Sequence, residues 1–139
     1  MRPNPIEEGK RWLRQATQDL DDARYNRKGG RYHLACFLSQ QASEKALKGY
    51  LYAQGEEQVW GHSVADLIRQ ATRYDPAFEP LIRVGGTLDR HYIPTRYPNG
   101  LPGGIPAEAF DADDADKAIQ QAEQIIRHVA ERLQRLDEP

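Results

Sequence analysis

Between Tyr32 and Ala53 the chain is apolar on more than one side. Leu34, Ala35, Cys36, Phe37, Leu38, Ala42, Ala46, Leu47 and Leu51 leave little of a helical cylinder polar. A helix of that kind must be covered from several directions, so it predicts a central element with others packed round it. The covering elements carry narrower stripes. Leu13, Ala16, Leu20 and Ala23 step by three and four through a first helix from Pro5 to Arg27. Asn4 is placed to cap it, Pro5 suits its first turn, Glu7 and Glu8 suit its dipole, and Gly29-Gly30 ends it. Ala115, Ala118, Ala122, Ile125, Val129, Leu133 and Leu136 form the stripe of a last helix, widened by Ile119 and Ile126 and capped by Asp111 or Asp113.

Two shorter elements lie between. Ser63 caps a third helix with Asp66 at the capping-box position and Val64, Leu67, Ile68 and Ala71 as its apolar face. Asp75-Pro76 starts a fourth that reaches Leu88 or His91, weakened and bent by Gly85-Gly86. No segment keeps a period of two long enough to be a strand. The expectation is an all-α, up-and-down helical bundle of three long and two short helices, one domain over residues 1–139.

The hydrophobic fraction of 39% and mean hydropathy of −0.81 fit long amphipathic helices with wide solvated faces. A net charge of −2 gives no global basic footprint, so any anion site must be local. The single Cys36 excludes an internal disulfide and fits a reducing compartment. No apolar run is long enough for a membrane span, and Met1-Arg2-Pro3-Asn4-Pro5 lacks the apolar stretch of a signal peptide. Cytoplasm is the expected location.

Residues 90–100, Arg-His-Tyr-Ile-Pro-Thr-Arg-Tyr-Pro-Asn-Gly, do not read like core. Arg90, His91 and Arg96 concentrate two fixed cations and an imidazole, while Pro94 and Pro98 stiffen the backbone. Arg90, Arg96 and Tyr97 are candidate phosphate- and base-binding groups. The alternative is a loop that packs down through its tyrosines and bonds its arginines to acids. On the second helix Gln41, Glu44, Lys45 and Lys48 share one face. They read either as an intrahelical Glu44–Lys48 pair with Gln41 capping a neighbouring loop, or as a polar notch that docks residues 90–98 or a ligand phosphate. His91 is the candidate catalytic group, since an imidazole moves protons near neutral pH and flanking arginines hold a phosphodiester. Adjacent arginines also disfavour the charged imidazole. His62 reads as ordering a turn, His128 as solvated, and Trp12 and Trp60 as packing or interface anchors. The histidines have no paired metal-ligand spacing, and no cofactor is expected.

In order along the chain, Trp12, Ala16, Asp19-Leu20 and Ala23 are followed by Cys36-Phe37, Gln40-Gln41-Ala42 and Glu44-Lys45-Ala46-Leu47-Lys48. His62, Leu67, Leu88-Asp89, Tyr92 to Pro98 and an alanine-rich last helix come next. This set resembles the HEPN domain, a small all-α family often encoded beside a minimal nucleotidyltransferase. The resemblance implies a helical bundle, commonly a homodimer, with a cleft near the subunit boundary. It implies a module that binds a nucleotide or RNA phosphate and partners a minimal nucleotidyltransferase, in a toxin–antitoxin pair. The alternative it implies is a metal-independent ribonuclease toxin using His91 and its neighbouring arginines. Catalytic members carry Arg-x4–6-His late in the domain. Here that spacing occurs only from Arg27 to His33, at the first helical junction.

Overall fold

The computed structural model describes residues 4–139. Among them all regular structure is helical: α1 (Pro5–Lys28), α2 (Tyr32–Ala53), α3 (Val64–Thr72), a 3-10 stretch (Pro76–Leu81), α4 (Ile82–Asp89), a 3-10 turn (Pro98–Gly100), α5 (Pro106–Ala109) and α6 (Ala112–Asp137). The chain is an all-α bundle. Met1 to Pro3, part of the segment read as lacking a leader, lie outside the described residues. No helix among the described residues is long and apolar enough to cross a membrane.

The helix starts follow side-chain capping. The Asn4 side chain accepts from the backbone N–H groups of Ile6 and Glu7 at 2.9 and 3.3 Å. Ser63 accepts from Asp66 N–H, and Asp111 and Asp114 close a reciprocal capping box at the head of α6. Of the two acids proposed as that cap, Asp111 is the one used.

α2 is the central element. α1 packs along it, α6 lies across both, and α3 leans on it with α4 behind. Its all-round burial includes Ser39 and Ser43, whose hydroxyls donate to the carbonyls of Ala35 and Ser39 one turn back, so their polarity is satisfied inside the helix. α1 and α2 approach most closely where Gly9 faces Gly49. A Cβ on Gly49 would lie 2.8 Å from the Gly9 carbonyl oxygen and 2.9 Å from Trp12 Cβ. Phe78, Leu47, Leu51, Leu67, Ile68, Leu88 and Ile125 are fully buried in one core.

The structure corrects four expectations. The segment from Pro76 begins as a 3-10 helix, because Pro80 offers no N–H and its ring obstructs an α-helical turn. Gly85-Gly86 lie inside continuous α4, and Gly85 is there for closeness: a Cβ would come within 2.8 Å of Ile68 Cδ1 on α3. Leu136, placed on the α6 stripe, is exposed in its last turn. His128 is half-buried, its ring edge-on to Phe78 at 4.4 Å, because Phe78 reaches α6 from the 3-10 stretch. Burial lowers its pKa, with Arg132 contributing.

Candidate functional site

The loop after α4 is fixed at its base. The Asp89 carboxylate accepts from Ser63 Oγ (2.7 Å), Val64 N–H (2.6 Å) and Ala65 N–H (3.1 Å), so the last residue of α4 caps α3. Turn bonds follow from His91 N–H to Leu88 C=O and from Tyr92 N–H to Asp89 C=O. Fully buried Thr95 donates its hydroxyl to the His91 carbonyl. The N–H groups of Arg96 and Tyr97 both return to the Ile93 carbonyl. Pro94 and Pro98 do not prevent turns here; they keep each from extending into a helix.

Arg96 occupies the centre of this loop. Its guanidinium carbon lies 4.5 Å from the centroid of Phe37 on α2, 4.7 Å from Tyr92 and 5.0 Å from Tyr97. Its Nε donates to the Tyr92 carbonyl at 2.9 Å. Among the described residues no carboxylate pairs with it. Three rings hold the group by their faces, which restrains its plane while leaving its charge uncompensated. Tyr97 is half exposed. Beside them Arg96 lines a shallow groove with His33, Leu34, Pro98, Ile105 and Pro106.

The polar line of α2 is satisfied internally. Glu44, 4% exposed, accepts from Lys48 Nζ (3.0 Å) and Gln41 Nε2 (3.0 Å), and its Oε1 meets His62 Nδ1 at 2.9 Å. Gln41 also donates to Gln40 Oε1, and Gln40 donates to the His62 carbonyl. Lys45 is bound by Asp19 at 2.6 Å, with Gln15 on the other carboxylate oxygen. Glu44–Lys48 thus pairs within the helix, while Gln40 rather than Gln41 holds the neighbouring loop. The ammonium groups of Lys45 and Lys48 already have internal counter-ions. The notch does dock the 90–98 loop, through the His62 ring stacked on Tyr92.

Arg90 and Arg96, grouped by sequence, face different grooves. Arg90 stands with Arg69 and Arg83 beside α3 and α4. His91 points inward, edge-on to Phe110 at 5.7 Å, with Nδ1 buried and without a hydrogen-bond partner among the described residues. Burial lowers its pKa; Asp114 opposes and Arg90 and Lys117 reinforce that shift. Burial thus disfavours the charged imidazole, which works against an acid role. Arg27, the arginine of the early Arg–His spacing, is held by Asp116 through two bonds of 2.8 and 3.2 Å. His33 is half-buried, and burial lowers its pKa. Burial pushes the Cys36 thiol up to about 12, so it is no nucleophile.

His62, Tyr92 and Phe37 are the site residues that the sequence reading passed over as site groups. Each acts on a different element from its own or across a turn, and no local periodicity marks that. The one available signal was the alternation of aromatic and cationic side chains from Arg90 to Tyr97.

A sequence profile of the HEPN domain matches residues 10–133. A curated protein of Methanocaldococcus jannaschii named "Putative toxin MJ1304" is 26% identical over 138 residues, covering 92% of this chain and 90% of its own. The crystal structure of TT1696 from Thermus thermophilus superposes with a TM-score of 0.85 at 38% identity, over 89% of this chain and 97% of that one. ST0689, described as an archaeal HEPN homologue, gives 0.76 at 40% identity, over 91% and 98%. A HEPN domain protein of Thermotoga maritima, TM0613, gives 0.73 at 32% identity, over 90% and 98%.

Proposed function

The chain belongs to the HEPN domain family, and from that premise we propose that it binds the phosphate of a nucleotide or RNA while partnering a minimal nucleotidyltransferase in a toxin–antitoxin pair. One observation carries the binding reading: a guanidinium held by three aromatic rings with no carboxylate beside it. Arginine presents two parallel donors to a phosphate, and a restrained arginine loses less freedom on binding. Half-exposed Tyr97 adds a face on which a base stacks. Of the α2 groups, Gln41, Glu44 and Lys48 back this loop through His62, while Lys45 is paired with Asp19 on α1. The toxin–antitoxin part draws on the name of the Methanocaldococcus relative. The ribonuclease alternative comes from the family resemblance, but burial lowers the pKa of half-buried His91, which works against a proton-donor role.

Titration of adenine nucleotides and of short RNA, read by backbone amide shifts, tests the binding. Shifts are expected across residues 92–97, lost in Arg96→Ala. No shift between residues 88 and 100 at large ligand excess overturns the reading. Co-expression with a minimal nucleotidyltransferase, followed by sedimentation, tests the partnership and the homodimer together. Cleavage of labelled RNA that disappears in His91→Ala would favour the ribonuclease.

A further inference from the structure

Arg83 in the first turn of α4 and Arg90, the residue just past its end, line one groove, with Gly86 between them. Arg69 of α3 stands across the same groove, and Ala65 and Gly86 leave its floor low. All three arginines are exposed, and a Cβ on Gly86 would meet nothing within 4 Å. Among the described residues Arg83 and Arg90 have no ion pair. Arg69 pairs with Asp66 at 2.7 Å, but both side chains are more than half exposed, so that pair exchanges readily for another anion. One carboxylate, Glu79, lines the groove against the three guanidinium groups. Such a concentration stands out in a chain of net charge −2. In the sequence Arg83 and Arg90 share a helix face at i, i+7, but nothing local marks Arg69 as their neighbour.

We infer that this groove holds the phosphodiester backbone of a polynucleotide strand, independently of base sequence. It is a second contact for the RNA of the proposed function and rests on that reading. The lining favours phosphate over the alternatives by its chemistry. It has no aromatic ring, so it offers no platform for bases. It has no exposed aromatic anchor of the kind that dominates a protein interface. Forked donors over a bare floor suit phosphate oxygens, which carry charge but no sequence information. Arg83 and Arg90 are seven residues apart, about 10.5 Å along a helix at ~1.5 Å per residue. That separation lets the two guanidinium groups meet different phosphates of one strand.

The test measures binding of a fluorescent 12-nucleotide uridine RNA from 50 to 300 mM salt. The proteins are wild type, Arg83→Ala/Arg90→Ala, Arg96→Ala and the control Arg14→Ala/Arg127→Ala, which removes the same charge elsewhere. For Arg83→Ala/Arg90→Ala we expect at least tenfold weaker binding and a log–log salt slope shallower by about 1.4, since each single-strand phosphate contact contributes about 0.7. Its affinity for a uridine mononucleotide should be unchanged. An unaltered slope overturns the inference, as does an equal effect in the control pair. Poly-glutamate that binds as tightly as the RNA and depends equally on Arg83 and Arg90 also overturns it, in favour of an acidic protein partner. RNA binding that needs Arg96 but not Arg83 and Arg90 removes the groove and leaves the loop reading intact. If wild type binds neither RNA nor nucleotide, the loop reading falls and the groove falls with it.

Discussion

His62 and Tyr92 stack with ring centroids 5.1 Å apart and planes 16° from parallel. This contact joins two networks. Behind His62 lies buried Glu44, with Lys48 and Gln41; beyond Tyr92 lies Arg96, with Phe37 and Tyr97. The posture of the half-buried arginine therefore depends on a carboxylate inside the bundle.

His62→Ala removes both the stack and the bond to Glu44. Stability should fall by about 1–3 kcal/mol, the usual worth of one stacked pair and one hydrogen bond together. Amide hydrogen exchange over residues 92–97 should quicken while that of α6 stays constant. His62→Phe keeps the ring and should restore most of the protection. If neither variant alters exchange in the loop, the stack does not hold it.

Glu44→Ala should be far more damaging. Lys48 is 12% exposed and would lose its counter-ion inside the bundle. Leaving a buried charge unpaired costs about 3–5 kcal/mol. Urea unfolding should show that loss, and Glu44→Ala/Lys48→Met should recover a large part of it, since the stranded charge is then gone. Equal stability of the single and double variants would contradict this account.

Folding should weaken in mild acid. His91 has its pKa lowered by burial, so below the ordinary histidine value the unfolded chain takes up a proton that the folded chain refuses. Its contribution is complete above about pH 6.5 and declines as the pH falls from there towards the folded pKa. His128 and His33 are shifted the same way and add to the trend. Urea midpoints between pH 8 and pH 5 should drop towards acid, and His91→Phe should flatten part of that slope. A slope identical to that of wild type would remove His91 from the cause.

Gly49→Ala should cost about 1–3 kcal/mol, the usual penalty for overpacking. The added methyl meets the Gly9 carbonyl oxygen and Trp12 Cβ, backbone and a Cβ that have no rotamer to change. A melting temperature within 1 °C of wild type would show that α1 and α2 can separate freely.

The bundle was readable wherever one helix speaks for itself. Tyr32 to Ala53 was bounded by its own apolar density, and Ser63 with Asp66 by local capping. The one-turn α5 has too few residues for any period. The site was less readable, because its contacts are long-range. Asp89 caps a helix that begins 25 residues earlier, and Glu44 meets a histidine 18 residues ahead. Arg27 finds Asp116 across 89 residues, which removes it from the early Arg–His pattern. Arg90 and Arg96 looked like one cluster because they are six residues apart, yet a turn between them sends the two side chains to different sides.

The bond from Arg96 Nε to the Tyr92 carbonyl spends the inner donor of that fork on its own main chain. Only the outer rim, with its two terminal nitrogens, is left for a visitor. For the proposed phosphate, that fixes the approach from the far end before anything arrives. A lysine here would keep the charge and forget the direction.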